Sequence, residues 1–108
     1  MSEKGMIKHL TDGNFDQEIQ NGLTLVDFHA NWCGPCRMLA PVLEQVAKDV
    51  EGEASIGKVD IDTEQQTATH FQITSVPTMI LFKNGKEVAR LIGLKNADAI
   101  KDLILAQR

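Results

Sequence analysis

The chain has 108 residues, of which 43% are apolar and 24% charged, the balance of an ordinary globular protein. That excludes a disordered tail, a collagen-like repeat and a disulfide-dense scaffold, and the length suits a single domain over residues 1–108. Eleven basic against fifteen acidic residues leave a net charge of −4. With no basic cluster, neither a nucleic-acid backbone nor an anionic membrane is expected as the main partner.

The first ten residues, MSEKGMIKHL, mix charges of both signs and lack the apolar run of a signal peptide. No stretch approaches the roughly 18 apolar residues of a membrane span. A cytoplasmic location is therefore expected, where thiols are kept reduced and a close cysteine pair is more often catalytic or metal-binding than structural.

Taken in order, residues 6–10 read as a short edge strand and 11–14 as a turn, with Asn14 capping a helix through about residue 20. Residues 23–30, LTLVDFHA, are apolar apart from Thr24, Asp27 and His29, the pattern of a central strand covered on both faces. Residues 37–50 are helical by spacing. Leu39, Val42, Leu43, Val46 and Val50 make one apolar stripe, with a kink predicted at Pro41. A strand over 54–61, a weaker helix over 63–71 and a strong strand over 78–83 follow. Asn84-Gly85 signals a type I′ hairpin turn into a strand over 87–92. Asn96 caps a last helix whose stripe is Ala97, Ile100, Leu103 and Ile104. The order β-α-β-α-β-α-β-β-α predicts an α/β fold, a central mixed five-stranded sheet flanked by four helices. Its early strands are parallel and its final hairpin antiparallel.

The two cysteines stand as Cys33-Gly34-Pro35-Cys36 between the buried strand and the long helix. That placement delivers Cys33 to a helix N-terminus, where unpaired N–H groups and the helix dipole favour an anion. A thiolate there has its pKa lowered from about 8.5 toward neutrality, and Arg37 adds a positive charge nearby. Cys36, one turn further in, is expected to be more buried and less ionised. Pro35 is tolerated in the first turn and stiffens the loop. A redox couple is the leading reading. A fixed structural disulfide and half of a zinc site are the alternatives, the latter opposed by the wide separation of His9, His29 and His70.

The segments VDFHANWCGPCR, Pro41, KVDID, SVPTMILFKNG and Gly93 together resemble the thioredoxin family over essentially the whole chain. The resemblance implies a single thioredoxin domain with Cys33 as the attacking and Cys36 as the resolving cysteine. Asp27, a lone carboxylate in an apolar strand, matches the family's buried proton acceptor, and burial raises a carboxyl pKa. Lys58 matches a lysine that pairs with that Asp, although on its own it reads as a surface lysine. Val76-Pro77 matches the loop with a cis peptide whose backbone pairs with an extended substrate. Trp32, Gly34, Pro35, Val76, Pro77 and Gly93 are the implied substrate-contact patch, with Gly93 equally readable as strand-end punctuation.

The implied activity is general protein-disulfide reduction with no bound cofactor. Electrons come from NADPH through a flavin-dependent thioredoxin reductase. The implied clients are of the ribonucleotide reductase, peroxiredoxin and methionine sulfoxide reductase classes, and a monomer is expected. A binding or assembly subunit, whose contact patch matters and whose cysteines do not, is the second reading. An oxidase or isomerase is the third, opposed by the Gly-Pro spacer. Two departures stand out. His29 replaces the usual aromatic, and reads as a half-buried neutral imidazole or as a titrating group near Cys33 or Asp27. Gln72 replaces a common Gly, with only a local loop effect expected.

Overall fold

A computed structural model describes residues 7–108. Its elements are β1 (Ile7–His9), α1 (Phe15–Glu18), β2 (Leu23–His29), α2 (Gly34–Asp49), β3 (Ala54–Asp60), α3 (Gln65–His70), β4 (Thr78–Lys83), β5 (Lys86–Ile92) and α4 (Ala97–Ala106). The expected start of the first strand at residue 6 lies outside the described residues.

The five strands form one sheet in the order β1-β3-β2-β4-β5. β1 and β2 both run parallel to β3, whereas β4 is antiparallel to β2 and β5 to β4. The apolar run at 23–29 is therefore central, and helices cover both of its faces. Alternation sends Leu23, Leu25, Ile56, Met79 and Leu81 toward α2 and α4, where Leu39, Leu43, Val46, Ile100 and Ile104 meet them. Val26, Phe28, Val59, Ile80 and Phe82 point the other way, against Leu10, Phe15 and Ile19. All four phenylalanines gather on that second face, with Phe15, Phe28, Phe71 and Phe82 in tilted or edge-on contact at centroid distances of 5.2–6.4 Å.

Helix boundaries differ from the expected ones for local reasons. α2 starts at Gly34 because Cys33 itself caps it. Pro41 lies inside α2 at an exposed position, where its ring removes the donor that the Arg37 carbonyl would otherwise receive. α1 is a single turn because the Asn14 side chain does not cap it; Asn14 Oδ1 instead accepts from the Thr11 N–H at 2.8 Å.

α3, only six residues long, takes its cap from the distant loop that follows β1. Asp12 accepts from the Thr67 N–H at 2.9 Å and the Thr67 hydroxyl at 2.6 Å, while Glu64 accepts from the Asp12 N–H at 2.8 Å. These bonds hold the Asp12 carboxyl below its ordinary value.

At the other end of α3 the chain closes a six-to-one turn. Ile73 N–H donates to the Ala68 carbonyl and Gln72 N–H to the Thr69 carbonyl, both at 3.0 Å. This motif needs a left-handed residue after the helix, a role glycine fills without strain. Here Gln72 fills it at φ 56°. Replacing Gln72 by Gly is expected to stabilise the fold by about 0.5–1 kcal/mol, the relief of left-handed strain less glycine's own entropy. The check is a higher urea midpoint at unchanged slope.

The hairpin follows the sequence signal. Asn84 and Gly85 take φ 50° and 88°, Lys83 pairs with Lys86, and Asn84 Oδ1 accepts from the Gly22 N–H at 2.8 Å.

Candidate redox site

β2 ends at the sheet's carboxyl edge and a short loop carries the chain into α2. This connection places Cys33 at the N-cap. Cys33 and Cys36 are joined as a disulfide with their Cα atoms 5.2 Å apart. The Cys36 N–H donates to Cys33 Sγ at 3.1 Å, so the sulfur occupies the position a capping oxygen normally takes. That amide and the helix dipole both favour an anionic sulfur. The Arg37 guanidinium donates to the Asn31 carbonyl at 2.9 Å, on the loop that precedes Cys33.

Cys33 and Cys36 are 4% and 6% exposed, so the expectation of a more buried Cys36 does not hold. The bond draws both sulfurs into one small apolar cluster with Ala30, Ile61 and Val76. Across from them the Val76-Pro77 peptide is cis, as expected. The Val76 carbonyl oxygen lies 3.7 Å from Cys33 Sγ. The Thr78 hydroxyl donates to the Ser75 carbonyl at 2.7 Å and holds this loop from behind.

Gly93 N–H donates to the Pro77 carbonyl at 2.8 Å, which brings β5's end to the same place. At φ 92° Gly93 has a conformation that side chains rarely adopt, and a Cβ there would meet nothing within 4 Å. The backbone therefore explains the glycine, and the space beside it stays open. Trp32 is 67% exposed rather than core filling, its indole N–H donating to Asp62 Oδ2 at 2.9 Å. Asp62 escaped sequence reasoning, since 30 residues separate it from its partner and no local pattern marks it.

Beneath the disulfide, Asp27 is 1% exposed. Among the described residues, Asp27 Oδ1 is the buried side-chain oxygen without a hydrogen-bond partner. Burial raises its pKa to about 7, against the opposing pull of the Lys58 charge. Lys58 stands directly opposite Asp27 in the β2–β3 register and is half-buried. Asp27, Cys36, His29 and Lys58 line one cavity of about 220 Å³. His29 is half-buried, and burial, with Lys58 and His9 beside it, holds its pKa below the ordinary value against the opposing Asp60. A neutral imidazole at pH 7 is the result.

Among the described residues, no three or more His, Cys, Asp and Glu are placed to hold a metal ion, and no helix is long and apolar enough to cross a membrane.

The thioredoxin family model matches residues 6–106. The chain belongs to the thioredoxin family. It is 47% identical to the thioredoxin of Staphylococcus saprophyticus over 91% of this chain and 94% of that one. To the thioredoxin of Chlamydia pneumoniae it is 48% identical, over 92% and 96%. To that of Staphylococcus aureus it is 43% identical, over 91% and 94%. Its mixed five-stranded sheet with four helices is the thioredoxin fold, and the Cys33–Cys36 spacing fits the family's active site. Thioredoxins are thiol-disulfide oxidoreductases, and this chain is a protein-disulfide reductase of that kind; an assembly role independent of the cysteines is not favoured.

Proposed function

We propose that residues 1–108 act as one cytoplasmic, monomeric domain in which Cys33 is the nucleophile, Cys36 the resolving thiol and Asp27 the proton acceptor. The observation that carries this reading is the Cys33 sulfur at the α2 N-cap, held by the Cys36 amide and facing the Val76 carbonyl. In the reduced protein a Cys33 thiolate attacks a client disulfide. A bond forms from Cys33 Sγ to one client sulfur while the client's own S–S bond breaks and a thiolate leaves. Cys36 then gives its proton to the Asp27 carboxylate and attacks Cys33 Sγ. The mixed disulfide breaks, the second client thiolate leaves, and Cys33–Cys36 remains oxidised. An acceptor poised near neutrality suits this transfer at cellular pH, and Lys58 steadies the ionised Asp27 between turnovers.

The client's backbone pairs with the main chain at Val76 as a short added strand. Trp32, Gly34, Pro35, Pro77 and Gly93 form the low, open patch around it. Two thiols store the two electrons, so the chemistry asks for no bound cofactor. The disulfide is reduced again by a flavin-dependent thioredoxin reductase fed by NADPH. Clients belong to the ribonucleotide reductase, peroxiredoxin and methionine sulfoxide reductase classes. The reduction of insulin by dithiothreitol tests the proposal: the protein is expected to accelerate the appearance of turbidity, and no acceleration removes the reading.

A further inference from the structure

On the α2 face of the sheet, Asp27 and His29 follow each other on β2 at the two-residue spacing that puts side chains on one side. The β2–β3 register sets Lys58 opposite Asp27 and Asp60 opposite His29, and the β1–β3 register sets His9 beside Lys58. Five titratable groups thus share one patch of sheet at the site's edge. α2 contributes Cys36 and Arg37 over this patch, and the segment after β3 contributes Glu64.

Two cavities meet here. One, of about 220 Å³, holds Asp27 and Cys36; the other, of about 280 Å³, holds His9, Asp60 and Glu64. His29, Asn31 and Lys58 line both. Either volume has room for several waters at about 30 Å³ each. Asp27 is sealed from solvent, while His29, two residues along the same face, is half-exposed and lines both cavities.

We propose that His29 is the proton exit of this enzyme, carrying to solvent the proton that Asp27 takes from Cys36. The inference rests on Asp27 acting as that acceptor. Asp27 and His29 lie about 7 Å apart along the strand, a gap that their side chains and one water close. After Cys36 has closed the disulfide, the protonated Asp27 passes its proton to one ring nitrogen of neutral His29. The other ring nitrogen releases a proton into the second cavity toward Asp60, Glu64 or water. Asp27 returns to its carboxylate, His29 to its neutral form, and the proton count balances against one client thiolate that takes up a proton from solvent.

Burial first, and then Lys58 and His9, keep the resting imidazole uncharged and so able to accept. Asp60 opposes them and steadies the transient imidazolium. An aromatic ring fills the same space and carries no proton.

The test follows reduced protein reacting with dithiobis(nitrobenzoate), whose first aromatic thiol reports attack by Cys33 and whose second reports closure by Cys36. In His29→Phe and His29→Trp the first phase is expected unchanged and the second slowed about five- to tenfold at pH 7. Added imidazole is expected to restore the second phase in His29→Ala, where the missing ring leaves room for it. The histidine component of the wild-type pH profile for closure, which the depressed pKa moves below the ordinary histidine range, should be lost in both aromatic variants. A second phase as fast as wild type in both aromatic variants, or a loss in His29→Ala that imidazole does not restore, overturns the proposal. Asp27→Asn separates the two readings. If it leaves the second phase and its pH profile unaltered, Asp27 is not the acceptor and the underlying mechanism falls. If it slows that phase while both aromatic His29 variants match wild type, only the exit route falls.

Discussion

Replacing Cys33 by Ser is expected to return insulin reduction to the rate of dithiothreitol alone, whereas replacing Cys36 by Ser is expected to turn the protein into a trap. The difference follows from position on one helix. Cys33 occupies the N-cap, where the Cys36 amide and the unpaired N–H groups of the first turn meet the sulfur. A serine hydroxyl there still caps the helix, so the fold survives, but it does not attack a disulfide. Cys36 lies a turn further in and has no equivalent donors, so it does not take over. In Cys36→Ser the first attack proceeds and no second thiol follows. Reaction with dithiobis(nitrobenzoate) should then release one aromatic thiol per protein instead of two, and mass spectrometry should find the other still bound. A Cys33→Ser protein as active as wild type removes the nucleophile assignment. Two thiols released by Cys36→Ser remove the resolving one.

Stability should fall as pH rises from about 4 to about 7, and Asp27→Asn should abolish most of that fall. The Asp27 carboxyl titrates near 3.8 in an ordinary setting and at about 7 in the fold. Below the lower value both folded and unfolded chains hold the proton, and this residue adds no pH dependence. Between the two values the unfolded chain has lost a proton that the folded chain keeps, so each unit of pH favours unfolding. At ~1.4 kcal/mol per unit the total reaches roughly 4 kcal/mol, complete once the pH passes the folded value. A buried amide has no such dependence. Urea unfolding at pH 4 and pH 8 should show Asp27→Asn more stable than wild type by roughly 3–4 kcal/mol at the higher pH and similar to it at the lower. Equal stabilities at pH 8 would mean that Asp27 is solvated and no poised acceptor. The site is thus held together at a cost to the fold, as functional sites often are.

The sheet was legible because apolar runs at 23–29 and 78–83 have no surface-facing alternation, which only a strand covered on both sides tolerates. The hairpin was legible because Asn-Gly suits two left-handed residues in a row. Asp27 was legible for the opposite reason, as the one charge such a strand should not contain. Short helices were read too long, since periodicity says nothing of where the cap comes from. Asn14 turned back to Thr11, and α3 is capped by Asp12, more than fifty residues away. The His9, Lys58 and Asp60 surroundings of His29 depend on strand register, which no single strand encodes. Gln72 was noticed as a missing glycine, but its strain emerged only with the backbone angle. The expected contrast between the two cysteines failed because it was drawn for separate thiols and the structure holds a disulfide.

Trp32 has one more consequence. It is the only tryptophan, the chain has no tyrosine, and the indole stands next in sequence to the disulfide with two-thirds of its surface open. A disulfide accepts an electron from an excited indole and darkens it; a dithiol does so far less. The chain therefore carries its own optical gauge, and its emission under ultraviolet light should brighten as the disulfide opens. The same ring belongs to the proposed client patch, so docking there should shift the colour of that emission without any attached dye.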